Sequence, residues 1–280
     1  MRVCVMLVVL SDRRLFDALD SLRIQRRRPD RVLVADGGSS PDYRAEVLRR
    51  GAGLPLEVAE VPGLPAESRE AVLDRIQEEI TAFLDADEVA PPEWLEALVA
   101  PIESGAAEFV GGPTRPSRPP QNSIERYHAE IERKIYEEDI VRSVQYLPLG
   151  NSAWKTSILQ ELRFDTRVRF AEDFDIAGRA MRRGARGLYV PAAWVFHNKT
   201  VEASFPQLFR KRYIYLVQAA CVFLRDRNIT DRLGEKRTPL RHPLGWVEEW
   251  LLKPVAVMHA YLRLRWGAAS TPFTPPARNL

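Results

Sequence analysis

Asp85 and Asp87 are the residues whose type and spacing most directly suggest chemistry. They close the stretch Ile80-Thr81-Ala82-Phe83-Leu84-Asp85-Ala86-Asp87-Glu88, where a short β-prone run leads into an acidic cluster followed by Pro91-Pro92. A run this short, bounded by charge and proline, reads as a buried strand. Residues two apart in a strand point to one side. Both carboxylates can therefore converge at the strand's carboxyl end, where open α/β sheets bind ligands. Two convergent carboxylates make a hard oxygen site suited to Mg²⁺ or Mn²⁺, which then carries a substrate's phosphates. A solvated acidic turn leading into a helix at Pro92 explains the same residues without chemistry, so the pair needs support from the rest of the chain.

The elements that must position such a site follow from the pattern. Val3 to Leu10 is a continuous apolar run, as in a strand buried on both faces, and Ser11 and Asp12 follow it. No small-residue cleavage site follows, so it reads as a strand and not a signal peptide. Leu15, Phe16, Leu19 and Leu22 recur at helical spacing. Arg31 to Ala35 is a second strand, ending in Asp36-Gly37-Gly38-Ser39-Ser40-Pro41. Its glycines permit a tight turn and leave Asp36 at a strand tip. There Asp36 can accept a hydrogen bond from a nucleobase or stabilise the turn. Leu56 to Ala59 is a third strand, and a helix carrying Ala71, Val72 and Ile76 leads to the acidic strand. Strands alternating with helices predict an α/β fold with a mostly parallel sheet flanked by helices.

Further along, a helix from Pro92 carries Trp94, Leu95, Leu98 and Val99, and Glu108 to Gly112 reads as a strand. Pro113 to Pro120 reads as a loop. Asn122 and Glu125 form a capping box, and Ile124, Tyr127, Ile131 and Ile135 mark one helical face. Glu172-Asp173 opens a helix with Phe174, Ala177, Ala180 and Met181 inward and Gly184 as its stop. The helix dipole stabilises a carboxylate there, which suits either a cap or an ionised base. His197 follows a strand from Ala193 to Phe196.

Composition bounds the function. The 280 residues are 45% hydrophobic and 28% charged, an ordinary globular balance. A net charge of +3 is too small to argue for nucleic acid. Cys4 and Cys221 lie far apart and suggest no disulfide framework, so a reducing, cytoplasmic setting is expected. Pro243 to Trp266 is apolar on a broad face, rimmed by Trp246, Trp250, Tyr261 and Trp266, and Pro254 is expected to kink it. With the basic run Arg210-Lys211-Arg212 ahead of it, 205–266 reads as a peripheral membrane contact, a face packed on the catalytic domain, or a homodimer contact. Residues 226–241 read as a polar loop and the tail from Ala268 as disordered.

The ordered set of motifs resembles the family-2 glycosyltransferases. Val34-Ala35-Asp36-Gly37-Gly38-Ser39-Ser40 is similar to the family's Val-Asp-Gly-Gly-Ser-Thr turn, and Gly63-Leu64-Pro65-Ala66-Glu67-Ser68-Arg69 to its Gly-Leu-x-x-Ala-Arg stretch. Phe83-Leu84-Asp85-Ala86-Asp87-Glu88 resembles its Phe-Leu-Asp-Ala-Asp-Asp metal motif. Leu149 to Lys155 resembles its Gly-Asn-x-x-x-Arg segment, and Phe170-Ala171-Glu172-Asp173 its Glu-Asp catalytic motif. Tyr189-Val190-Pro191 and Val195-Phe196-His197 follow in the family's order.

The resemblance implies a Rossmann-like GT-A domain over 1–200, with a nucleotide-sugar half of about 1–112 and an acceptor half of about 113–200, and a helical C-terminal extension over 201–280. It implies inverting transfer from a nucleotide-sugar, a UDP-sugar by default or a GDP-sugar, to a glycan or lipid-linked acceptor. Ser11, Asp12, Asp36, Arg69, Asp85 and Ala86 would surround the donor, with Arg69 on its phosphates. Asp85 and Asp87 would hold Mn²⁺ or Mg²⁺, the second Asp more directly, with His197 as a third ligand. Asp173 would be the general base and Glu172 its neighbour. The chain departs from the pattern at Ser11-Asp12, where Pro-x-Tyr-Asn is usual, and at Glu70, where Asn is common. Gln207 to Arg212 lacks the Trp that marks processive synthases. A sugar-phosphate nucleotidyltransferase would want a Gly-rich phosphate loop, which Ser11-Asp12-Arg13-Arg14 does not offer. A non-catalytic nucleotide-sugar-binding scaffold of the same fold is the other alternative.

Overall fold

The computed structural model describes residues 1–136, 139–168, 170–198, 202, 204–225 and 242–265, apart from the side chains of 133–136. The expected loop at 226–241, the expected tail from Ala268, the ring of Trp266 and the side chain of Ile135 lie outside the described residues.

The chain opens as alternating strands and helices. Strand β1 (Val3–Val9) is followed by α1 (Leu15–Arg23), β2 (Arg31–Asp36), α2 (Pro41–Arg50), β3 (Leu56–Glu60), α3 (Pro65–Val72) and β4 (Ile80–Leu84). β1, β2, β3 and β4 pair in parallel, so their carboxyl ends share one edge of the sheet. A short β5 (Glu88–Val89), α4 (Trp94–Glu103), β6 (Phe109–Gly111), β7 (Thr114–Pro116), α5 (Ser123–Tyr136) and β8 (Arg142–Val144) come next. Then follow β9 (Asn151–Lys155), α6 (Thr156–Leu162), α7 (Glu172–Arg182), β10 (Gly187–Tyr189) and β11 (Val195–His197). The main sheet has eight strands in the order β3-β2-β1-β4-β9-β6-β10-β8, and β5-β11-β7 forms a second, three-stranded sheet. β9 runs antiparallel between β4 and β6.

The period-2 geometry of β1 builds both hydrophobic layers. Val3, Val5, Leu7 and Val9 face one core with Leu15, Leu19 and Leu22 of α1 and Leu95 and Leu98 of α4. Cys4 and Met6 face the other, with Val72 of α3 and Phe174, Ile176 and Ala177 of α7. Each fully buried Val or Leu stabilises the fold by about 1.5–3 kcal/mol.

One stretch differs from expectation, and one central strand had no signal in the sequence. The Pro113 to Pro120 stretch contains β7, which pairs with β11 through Thr114 and Arg115. Asn151 to Lys155 is a central strand whose polar, short sequence carries no strand pattern; its neighbours β4 and β6 make it one.

The C-terminal helices pack on the rest. On α8 (Phe205–Arg225), Ala219 and Val222 join the core that contains Phe174 and Ile176. Leu208 of α8 and Leu244 of α9 (Pro243–Val247) pack with Ile124 and Tyr127 of α5. A π-helical stretch, Glu248–Leu252, joins α9 to α10 (Lys253–Arg265), immediately before the expected kink at Pro254. Proline lacks the N–H and crowds the carbonyl one turn earlier, and a π-bulge is one way a helix accommodates that. No helix among the described residues is long and apolar enough to cross a membrane.

Candidate active site

The carboxyl ends of β1, β2 and β4 and the start of α7 bound one crevice. At the β1 end Ser11 takes a left-handed φ of 52°, and its amide donates to Ser39 Oγ at 2.7 Å. At the β2 end Asp36 is 1% exposed. Its carboxylate accepts from the Ser39 amide at 3.1 Å and from Arg44 Nη1 at 3.3 Å. Gly38 in this turn has φ 116°, a conformation L side chains rarely adopt. Asp36 therefore holds the β2–α2 turn, and a nucleobase would share an already occupied carboxylate.

The β4 end carries Asp85, which opens into the crevice and is half exposed. Gly150 approaches it so closely that a Cβ at 150 would lie 2.3 Å from Asp85 Oδ2. Arg69, on α3, is buried between two acids: one guanidinium nitrogen lies 3.7 Å from Asp85 Oδ1 and another 2.6 Å from Glu172 Oε1. Its Nε has no hydrogen-bond partner among the described residues. Burial raises the Asp85 pKa, the Arg69 charge opposes this, and Asp87 adds to it. A concave wall can be reached by water and still solvate a charge poorly, which reconciles that rise with the open position.

Glu172 and Asp173 start α7, whose dipole favours acids in its first turn. The Tyr146 hydroxyl donates to Asp173 Oδ2 at 2.7 Å, and the Phe174 amide donates to Asp173 Oδ1 at 2.7 Å. Burial pushes the Glu172 pKa up to about 7, against the pull of Arg69. Burial also raises Asp173, against its hydrogen bonds from Tyr146 and Phe174. Both carboxyl groups are thus half-buried and shifted upward, Glu172 against Arg69 and Asp173 against Tyr146.

Asp87 is the most cation-rich point. His197, the last residue of β11, places Nε2 3.3 Å from Asp87 Oδ2, and Arg14 Nη1 lies 3.2 Å from the same oxygen. Burial would raise the Asp87 pKa, but His197 and Arg14 more than offset it and the net shift is downward. His197 Nδ1 lies 3.7 Å from Glu132 Oε1. Burial lowers the His197 pKa, but the hydrogen bonds it donates to Asp87 and Glu132 carry it up to about 10.

A divalent cation fits this donor set. Two cationic groups already converge on one Asp87 oxygen; a divalent cation there would displace the His197 proton and gain a neutral imidazole beside the carboxylates, a donor set that suits Mn²⁺. Among the described residues no three His, Cys, Asp or Glu side chains form a closed cage. Asp85 leans to Arg69, while Asp87 and His197 meet each other. Mg²⁺-type sites commonly use one or two carboxylates and complete the shell with phosphates and water.

Ala86 is buried and packs in the core that also holds Leu84 and Ala90. Asp12 pairs with Arg14, whose Nε donates to Asp12 Oδ1 at 2.9 Å. Three site residues escaped sequence reasoning: Arg14, Glu132 and Tyr146. Arg14 and Glu132 belong to common residue types in a charged chain, and Tyr146 lies 27 positions from Asp173, with no spacing to betray the contact. The Gly150-Asn151 segment proves partly structural: Asn151 is buried, accepts from Trp94 Nε1 at 2.7 Å and donates to the Ala193 carbonyl at 2.8 Å.

The parallel β1–β4 half carries acids around the buried Arg69 at its carboxyl edge and is extended by mixed strands, and the fold is that of the GT-A glycosyltransferases. The family model described as glycosyl transferase family 2 matches residues 11–163. The chain belongs to glycosyltransferase family 2. It is 27% identical over 194 residues to a pre-mycofactocin glycosyltransferase of Mycobacterium tuberculosis, a match that covers 66% of this chain and 39% of that protein. It is 30% identical over 101 residues to the succinoglycan biosynthesis protein ExoM of Rhizobium meliloti, covering 35% of this chain and 33% of that one. The chain thus matches well under half the length of these curated relatives. Among solved structures, the mannosyltransferase PcManGT of Pyrobaculum calidifontis, in complex with GDP-Man and Mn²⁺, has a TM-score of 0.65 at 22% identity, covering 99% of this chain and 77% of its own. TarS 1-349 of S. aureus in complex with UDP-GlcNAc has a TM-score of 0.53 at 15% identity, covering 95% and 92%. These likenesses define the fold.

Proposed function

We propose that this chain transfers a sugar from a nucleotide-sugar to an acceptor hydroxyl with inversion at the anomeric carbon. The observation that carries the reading is Arg69, buried between Asp85 and Glu172, which ties the acidic tip of β4 to the paired acids of α7. That arrangement separates a phosphate-binding side from a proton-accepting side within one crevice.

Asp85, Asp87 and His197 would hold Mn²⁺ or Mg²⁺, which supplies Lewis-acid neutralisation of the leaving diphosphate. Arg69 would engage the diphosphate beside Asp85. Asp36 and the Ser11-Asp12 turn border the nucleoside, uridine or guanosine. Asp173 takes the acceptor proton as its oxygen attacks. It is suited to this because Tyr146 and the Phe174 amide fix its carboxylate and burial raises its basicity. Glu172 engages Arg69 and so keeps that guanidinium at the boundary between the two sides.

The acceptor in this reading is a glycan or a lipid-linked sugar. Trp246, Trp250, Met258 and Tyr261 are exposed together on the C-terminal helices, with Arg263 and Arg265 in the last turn of α10. Aromatic and basic side chains around an apolar face suit a peripheral contact with an anionic membrane.

A thermal-shift screen of nucleoside diphosphates and their sugars, with and without Mn²⁺, tests the donor. Selective Mn²⁺-dependent stabilisation by one nucleotide is expected by mass action. The matching nucleotide-sugar should then be hydrolysed slowly without acceptor. A protein that binds the donor and releases no sugar, with or without any acceptor, is a scaffold and not a transferase.

A further inference from the structure

Arg14 is the cation nearest to Asp87 other than His197, and it comes from an unexpected place, the turn between β1 and α1. It is held from behind. Its Nε donates to Asp12 Oδ1 at 2.9 Å, and its Nη1 donates to the Asn198 carbonyl at 2.6 Å. These contacts join the end of β1, the loop after β4 and the segment after β11. The side chain is 31% exposed, so the guanidinium reaches the crevice and is not sealed from it.

We propose that Arg14 is a second phosphate-binding residue of the donor site and that it makes cation and diphosphate binding depend on each other. This rests on the nucleotide-sugar reading above. Arg14 Nη1 lies 3.2 Å from Oδ2 of Asp87, the carboxylate that would hold the divalent cation. A diphosphate held through that cation would lie beside the same carboxylate that this guanidinium contacts. Guanidinium pairs well with phosphate through its fork of N–H donors.

The same placement gives a coupling. A cation alone must share Asp87 with Arg14 and meets its repulsion. A diphosphate arriving with the cation offers Arg14 new acceptors and relieves that repulsion. Each ligand thus strengthens the other, and the coupling is reciprocal. Asp12 acts as a positioning residue, since it keeps the arginine at this edge of the crevice.

Calorimetric titration of the intact protein with Mn²⁺ alone, and with UDP or GDP in saturating Mn²⁺, tests the proposal on wild type, Arg14→Gln and Arg14→Lys. Arg14→Gln should bind Mn²⁺ alone more tightly than wild type. It should bind the nucleoside diphosphate with Mn²⁺ roughly ten- to hundredfold more weakly, the usual effect of losing a charged hydrogen bond. Arg14→Lys should fall between. Equal diphosphate affinity in wild type and Arg14→Gln would overturn the proposal. A wild type that binds neither diphosphate overturns the donor reading itself, a different result. Phenylglyoxal labelling of Arg14 in wild type, read by peptide mass spectrometry, needs no variant to fold. UDP or GDP with Mn²⁺ should slow it several-fold, and unchanged labelling by the diphosphate that binds contradicts the assignment.

Discussion

Arg69 donates to Glu172 at 2.6 Å across the crevice, joining the helix that precedes β4 to the helix that carries the paired acids. The guanidinium is 7% exposed and Glu172 13%. Removing one member of a buried ion pair leaves the other charge uncompensated, which typically costs about 3–5 kcal/mol. Arg69→Met should therefore lower the stability measured by urea denaturation by that order, while Glu172→Gln, which keeps a hydrogen-bond acceptor for Arg69, should cost less. Equal stability of Arg69→Met and wild type would mean that the pair is not a structural link.

Asp173 is assigned the acceptor proton. Asn keeps its size and much of its hydrogen bonding but cannot take a proton. Asp173→Asn should lower transfer roughly 10²- to 10⁴-fold. Nucleoside diphosphate affinity with Mn²⁺ should stay unchanged. Near-normal turnover with acceptor saturating would move the role to Glu172.

The raised pKa values give a pH dependence with a definite sign. Glu172 holds its proton up to about 7, and Asp173 is shifted the same way by burial. The ionised base is lost as pH falls, so saturated transfer should decline as pH drops through the raised Asp173 value and level off above it. Stability runs the other way. The folded-state value for Glu172 lies above its ordinary 4.5, so its contribution is present below about 4.5 and lost as pH rises through about 7. A transfer rate that stays flat from pH 8 down to about 5 contradicts the first expectation.

Gly150 leaves room for Asp85. A Cβ there would lie 2.3 Å from Asp85 Oδ2, and that carboxylate can swing aside. Gly150→Ala should therefore keep the fold, read by circular dichroism, and weaken Mn²⁺-dependent diphosphate binding. Unchanged binding would show that the position of Asp85 does not matter to the donor.

The membrane reading calls for surface changes and not truncation. Glu248 is buried and paired with Arg212 at 2.6 Å, so deletion of the C-terminal helices would strip a half-buried arginine of its partner. Trp250 is 76% exposed, and Trp246 and Met258 are also open. Trp246→Ser combined with Trp250→Ser should reduce co-sedimentation with anionic liposomes severalfold without lowering the melting temperature. Equal sedimentation of the double variant and wild type contradicts that role for this face.

Much of the β1–β4 half was legible because its signals are local. The continuous run of β1, the Gly-Gly turn after Asp36 and the apolar strand ahead of Asp85 each fall within one element. The stretch after β4 was harder. β9 is a strand because β4 and β6 flank it, and nothing in Asn-Ser-Ala-Trp-Lys announces this. Arg14, Tyr146 and Glu132 reach Asp87, Asp173 and His197 across long stretches of chain, and pairwise contacts of that kind leave no periodic trace. Asp36 is the reverse case: its position at a strand tip was plain, but its neighbours Ser39 and Arg44 occupy the carboxylate.

The central claim is that the crevice at the tips of β1, β2 and β4 binds a nucleotide-sugar through a divalent cation on Asp87. Calorimetric titration of the nucleotide-sugar into wild type and Asp87→Asn, each with and without Mn²⁺, measures this directly. Wild type should bind only weakly without Mn²⁺ and at least tenfold more tightly with it, the gain expected when a cation clamps a diphosphate. Asp87→Asn should remain folded and lose that gain. Equal Mn²⁺-dependent affinity in Asp87→Asn and wild type would contradict the account.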